Sequence, residues 1–226
     1  VTGVVMFVLV GAVLLGGIET IGKVTSAFVP LMIVIYLVGG FIVLAMHADQ
    51  IPGAFGQIFS DAFSGTAATG GFAGAAIIVA LQMGVARGIF SNESGMGSAA
   101  IAASAAKTTH PVRQGLVSMT QTFIDTIIVV TMTGLVIVTT GVWTGGKESA
   151  GTMTADAFRA GIGADWGGTI VSVSIVFFAF STILGWSYYG ERNAERALGL
   201  WASLPYRMIF TCVVFVGATT ELSVVW

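Results

Sequence analysis

The 226 residues are 55% hydrophobic and only 9% charged, against about 25% charged in soluble domains, which is too little charge to cover a water-exposed surface. A net charge of −2 argues against a nucleic-acid partner. One cysteine, Cys212, excludes an intrachain disulfide.

Asp, Glu, Lys and Arg are absent from Val1–Ile18, Val24–Ala48, Ala62–Ala86, Thr126–Gly146 and Trp166–Gly190, runs of 18, 25, 25, 21 and 25 residues. A helix needs about 20 residues to cross a hydrocarbon layer ~30 Å thick, because each residue rises only ~1.5 Å. Lipid offers backbone amides no partners, so a spanning segment must satisfy them internally. The period-2 alternation of a barrel is absent. The expected class is therefore an all-α integral membrane protein.

Six spans are predicted, at about 3–21, 26–46, 70–106, 114–141, 167–189 and 207–226. The first two join near Lys23. After the second, Ile51 to Phe63 places apolar residues at 51, 54, 55, 58, 59, 62 and 63, one face of a helix lying on the interface or on the bundle. The third is too long for one plain helix and is expected to break near 91–97. The fourth contains Asp125, which could pair with a basic residue or carry a proton or cation. Between the fourth and fifth, Ala157, Phe158 and Ile162 are candidate anchors of a lid. The run Glu191–Arg196 reads as a solvated extension of the fifth span, with Arg192 and Glu195 paired at i,i+3. The sixth includes Glu221. Pro30, Pro52, Pro111 and Pro205 are expected in connections or first helical turns.

Connections on one side carry Lys23, Lys107, Arg113, Arg192, Arg196 and Arg207, whereas 47–69 and 142–166 carry only Lys147 and Arg159. This alternation follows the positive-inside rule and puts residues 1–2 outside. The chain starts and stops within apolar runs and is expected to be part of a longer polypeptide. Many of its 31 glycines lie inside spans, where small residues let helices approach closely.

The chemistry concentrates in Gly84–Lys107. Gly71–Ala86 makes about half a crossing and Gly97–Ala106 the other half. Between them lie Arg87, Glu93, the polar Ser91, Asn92 and Ser94, and glycines including Gly95 and Gly97. A lipid-facing helix would not carry Arg87 and Glu93 at such depth, since a central charge costs about 2.5 kcal/mol or more. A helix broken at 91–97 and facing a cavity resolves this. Its unwound amides and carbonyls, and the N-terminus of the second half-helix, suit a zwitterionic ligand. The other reading is an internal Arg87–Glu93 ion pair with no ligand. A serine-nucleophile reading fails because His47 and His110 lie at span ends. Two isolated histidines and one cysteine make no metal site.

In the fifth span, Ser181 and Thr182 lie about 100° apart on a helix. Their hydroxyls approach the carbonyls of Phe177, Phe178 and Ala179. Such oxygens could hold a hard cation, or the hydroxyls could simply bond back to the helix.

Gly88-Ile-Phe-Ser-Asn-Glu-Ser-Gly-Met-Gly-Ser-Ala-Ala100, continuing through Lys107-Thr108 to His110-Pro-Val-Arg-Gln-Gly115, closely resembles the alanine/glycine:cation symporter family. Phe123-Ile-Asp-Thr126 and Phe180-Ser-Thr-Ile-Leu-Gly-Trp-Ser-Tyr-Tyr-Gly-Glu191 are similar to its following helices, and Gly16-Gly-Ile18 and Gly22-Lys-Val-Thr25 also match. Ser94 stands where alanine is expected and Ala100 where proline is. The resemblance covers essentially the whole chain. It implies a leucine-transporter-type fold of two inverted five-helix repeats, with these spans as core helices four to nine. Helices one to three and ten, which complete both sites, lie outside this sequence.

The resemblance also implies a substrate wall of Phe90, Ser91, Asn92, Gly95, Met96, Gly97 and Trp186. Half of a sodium site follows at Phe178, Ser181 and Thr182. Arg87, Glu93 and Asp125 remain as coupling or structural charges. The expected function is sodium-coupled symport of alanine or glycine by alternating access, in a multi-pass protein of a bacterial or archaeal plasma membrane. The expected partners are the amino acid, sodium as a co-transported ion and the lipid bilayer. No cofactor and no enzymatic activity are implied. Proton coupling through Asp125 or Glu93 is the alternative, and a channel the more distant one.

Overall fold

A computed structural model describes residues 2–63, 73–93, 95–145 and 151–220. Every regular element among them is helical. In chain order these are α1 (Thr2–Leu15), α2 (Gly17–Met46), a 3₁₀ turn at Ala48–Gln50, α3 (Ile51–Phe63), α4 (Ala73–Asn92), α5 (Ser98–Ala103) and α6 (Pro111–Thr122). There follow a π-helix (Phe123–Val130), α7 (Thr131–Thr140), a 3₁₀ turn at Val142–Gly145, α8 (Met153–Ile162), α9 (Asp165–Leu198), a 3₁₀ turn at Leu200–Ala202 and α10 (Ser203–Thr219).

Four helical stretches among the described residues are long and apolar enough to cross a membrane: Gly17–Met46, Pro111–Thr140, Asp165–Leu198 and Leu200–Thr219. Gly3–Leu15 is apolar but shorter. Lys147 and Glu221 lie outside the described residues. The chain divides into two compact units, residues 1–34 with 174–226, and residues 35–173.

In the first unit α1 and α10 lie side by side. Gly3 faces Thr219 and Gly11 faces Thr211, where an added Cβ would stand 3.2 and 3.1 Å from the nearest side-chain carbon. Phe7 meets Phe215 edge-on, with ring centroids 6.2 Å apart. Val10 and Leu14 are fully buried. These contacts show small residues bringing two apolar helices close, with an aromatic pair packed between the two glycine contacts.

The chain turns between α1 and α2 at Gly16–Gly17 rather than near Lys23, which sits inside α2. Gly17 has φ +70°, and a Cβ there would come within 3.3 Å of the Arg207 guanidinium. Because α2 starts early, Pro30 is interior to it and not in a first turn. Its ring removes the amide that would have bonded the carbonyl of Ser26.

Arg207 is also tied to α9. Its Nε donates to Glu191 Oε2 at 2.9 Å and its Nη2 to Glu191 Oε1 at 2.6 Å, the two-pronged geometry that suits guanidinium and carboxylate. Glu191 is only 2% exposed, so the Glu191–Arg196 run is not a solvated extension throughout. A partner 16 residues away in sequence reverses the local expectation. Arg192 and Glu195 do pair, at 2.6 Å, and Ser203 donates to Glu195, joining the end of α9 to the start of α10. Tyr206 closes over Gly190 so closely that a side chain there would require Tyr206 to move.

In the second unit Phe158 of α8 is fully buried. It stacks on Tyr36 of α2 at 5.3 Å, against the bare backbone of Gly39. Val43 closes on Gly161, and Gly167 lies against the Phe158 backbone. Tyr36 Oη lies 2.6 Å from Thr133 Oγ1, whose own proton goes to the Val129 carbonyl, so Tyr36 is the donor.

α4 ends at Asn92 and α5 begins at Ser98. Between them Glu93 has φ +55°, Gly95 +79° and Gly97 +79°. α5 is only six residues long, shorter than the half-crossing expected for Gly97–Ala106. Ser104 bonds back to Ile101 at 2.7 Å, Thr108 and His110 bond one another, and Pro111 keeps His110 extended at φ −146°.

Glu191→Leu strips Arg207 of its counter-charge and should cost about 3 kcal/mol, the low end for a buried pair because Arg207 keeps some exposure. The double change Glu191→Leu/Arg207→Met should recover most of that loss, as read from melting temperatures in detergent. Gly97→Ala should destabilise by about 1–2 kcal/mol through backbone strain alone, since open space surrounds that position. Gly134→Ala, equally open but inside α7, should instead raise the melting temperature through a gain of about 0.5–1 kcal/mol.

Candidate functional site

The break at 93–97 is framed by polar side chains on both sides. On the α4 side, Ser91 Oγ donates to Asp125 Oδ2 at 2.7 Å, and Asn92 Nδ2 donates to Thr126 Oγ1 at 3.2 Å. Asp125 therefore has a hydroxyl partner among the described residues. Ser98 Oγ, at the start of α5, donates to Glu93 Oε2 at 2.8 Å, bridging the gap along the chain. Ser98 is itself buried.

Local sequence explains the interruption. Three residues with positive φ in five make a helix impossible there, and two of them are glycines, for which the conformation carries no Cβ penalty. Glu93 adopts it with a side chain present and is held by Ser98. Around Gly95 and Gly97 an added Cβ would meet nothing within 4 Å among the described residues, so their backbone faces open space there. Phe90 and Met96 are exposed on either side. The arrangement offers amides, carbonyls, hydroxyls and carboxylates beside two apolar side chains. Those groups can hold the two charged ends of a small zwitterion. The expected contribution of a second half-helix dipole is small, because α5 has fewer than two turns. The Arg87 backbone belongs to α4, but its side chain lies outside the described residues, as does Ser94.

The π-helix stands opposite the end of α4. Thr131 donates its amide to Ile128 and its hydroxyl to Thr126, the latter at 3.1 Å across five residues. The hydroxyl thus takes a carbonyl for which the widened turn leaves a position. Thr126, Ser98 and Thr131 were missed in the sequence reading. Their signal was present in part: the adjacent polar pair Asp125-Thr126 matches the adjacent pair Ser91-Asn92.

The second predicted set lies on α9, in the other unit. Ser181 Oγ donates to the Phe178 carbonyl at 3.0 Å. α9 is continuous through this region, so that carbonyl is not released by a break. Thr182 is exposed. Trp186 meets Tyr189 edge-on with centroids 5.7 Å apart, and Ser187 bonds back to Leu184 at 2.7 Å. The geometry is that of a back-bonded serine, with one hydroxyl and one carbonyl oxygen side by side. Phe90–Gly97 and Asp125 thus come together in one unit, and Phe178, Ser181, Thr182 and Trp186 in the other. Among the described residues, no three His, Cys, Asp or Glu side chains form a metal-binding group.

The model of the sodium:alanine symporter family matches residues 1–226. The sodium/alanine symporter AgcS of Methanococcus maripaludis is 50% identical over 229 residues, covering 100% of this chain and 49% of that protein. An uncharacterized transporter of Haemophilus influenzae is 46% identical over 226 residues, covering 100% of this chain and 50% of the relative. The putative sodium/proton-dependent alanine carrier protein YrbD of Bacillus subtilis is 32% identical over 246 residues, covering 49% of its length. The chain spans about half the length of these relatives. The family is one of transporters and not of enzymes. With the family model matched from end to end, this chain belongs to the sodium:alanine symporter family.

Proposed function

We propose that the protein carrying this chain is a secondary transporter that moves a small neutral amino acid, alanine or glycine, together with sodium by alternating access. The observation that carries this reading is the break at 93–97. It combines two left-handed glycines whose backbone faces open space with a fixed set of polar groups on both sides. The substrate carboxylate goes to unwound amides and its ammonium to carbonyls or carboxylates, with Phe90 and Met96 limiting its side chain.

Sodium is assigned to Ser181, Thr182 and the Phe178 carbonyl. The Ser181 hydroxyl needs only to turn its proton away from the carbonyl for both oxygens to face a cation. Coupling then follows from linkage, since a filled cation site favours the arrangement that binds the amino acid. A leucine-transporter-type fold, with the six spans as core helices four to nine and basic ends inside, belongs to the same reading. The AgcS relative, named as a sodium/alanine symporter, supports it.

A second reading is coupling through a proton on Asp125. The favouring observation is that this carboxylate already holds the last turn of α4 through Ser91, so its charge and the break are directly linked. The putative sodium/proton-dependent relative supports it.

Radiolabelled alanine uptake into proteoliposomes holding the full-length protein separates the two. An inward sodium gradient should drive uptake, and Ser181→Ala/Thr182→Ala should reduce it about tenfold or more, the effect of ~1.4 kcal/mol of lost cation binding. Uptake indifferent to sodium but driven by a pH gradient, and abolished by Asp125→Asn, would move the coupling to Asp125.

A further inference from the structure

Two consecutive residues at the end of α4, Ser91 and Asn92, bond two consecutive residues of the π-helix, Asp125 and Thr126. The two rungs fall immediately before Glu93, where the backbone turns to φ +55°. A π-helix fans consecutive side chains over a narrower angle than the ~100° of an α-helix, so neighbours can face one partner strand of chain together. That register is stapled at Thr126, whose carbonyl takes the Thr131 hydroxyl at 3.1 Å. Thr126 is thus held on its backbone side by Thr131 and holds Asn92 on its side-chain side.

We infer that Thr126 is a positioning residue for the amino-acid site: its hydroxyl, set by the π-helix, fixes Asn92 and so fixes where α4 unwinds. The inference rests on the transport reading above. Thr126 itself need not touch the substrate. Its effect passes through the placement of the amides and carbonyls of 93–97. Losing it therefore weakens substrate binding and leaves the later conformational steps unaltered.

Alanine uptake kinetics are measured under a fixed sodium gradient for wild type, Thr126→Val and Thr126→Ser in the full-length protein. Thr126→Val should raise the alanine KM about three- to tenfold, the scale of one lost neutral hydrogen bond, with the maximal rate within about twofold of wild type. Thr126→Ser, which keeps the hydroxyl, should restore the wild-type KM. An unchanged KM in Thr126→Val, a loss confined to the maximal rate, or a Thr126→Ser protein as impaired as Thr126→Val overturns the inference. If Thr126→Val does not fold, Thr131→Val replaces it. That change removes the staple and no rung, and a wild-type KM there also overturns the inference. Wild type that takes up no alanine under sodium counts against the transport reading instead. The clamp is then read in the Asn92→Cys/Thr126→Cys/Cys212→Ala protein. There one mercuric ion per protein should protect both thiols from a maleimide, and a thiol that stays reactive at that ratio overturns the clamp.

Discussion

Everything in this structure answers to one constraint: in hydrocarbon, a backbone amide or carbonyl without a partner costs several kcal/mol. Unbroken helix is the default solution, and most threonine and serine hydroxyls comply by bonding carbonyls three or four residues back, as Thr139, Thr140 and Thr211 do. At three departures among the described residues a polar side chain lies alongside. Arg207 occupies the corner at Gly17, Thr131 completes the π-helix, and Glu93 with Ser98 spans the break.

The same principle separates two populations of glycine. Gly39, Gly40, Gly161 and Gly167 lie where an added Cβ would collide with Phe158, Met132 or Val43, so they exist to let helices close on one another. Gly95 and Gly97 have no described side chain against them and are needed for their φ. Composition alone gives the abundance of glycine but not this division. It follows from which positions face a neighbour and which face a gap.

The helical class was legible because charge-free runs of membrane length are a one-dimensional signal. The interruption was legible because Asn92-Glu93 and the Gly95 and Gly97 spacing break helical pattern and polarity together. Other features depended on residues distant in sequence. The corner at Gly16–Gly17 lies beside a guanidinium contributed by α10, a neighbour that local pattern does not show, so that pattern put the first turn near Lys23 and Pro30 in a connection or first helical turn. Glu191 looked solvated because its neighbours are charged, yet a two-pronged bond to Arg207 buries it. The π-helix has almost no local signature beyond a threonine five residues after another, and that spacing gains meaning only once the helix is seen to widen. Among the site residues, Ser91 and Asn92 stood out in the sequence. Their partners Asp125 and Thr126 could be matched only across the fold.

The Glu191–Arg207 pair has a bearing on ionic strength. Exposed ion pairs weaken as salt rises, because mobile ions within a Debye length of about 8–10 Å screen them. A carboxylate with 2% of its surface accessible gives those ions little access, so this pair weakens less with rising salt than an exposed one would. An exposed structural charge pair would instead leave this end of the scaffold open to screening by the surrounding salt. Burying it keeps the electrolyte's general effect on the framework apart from any specific effect of sodium at a binding site.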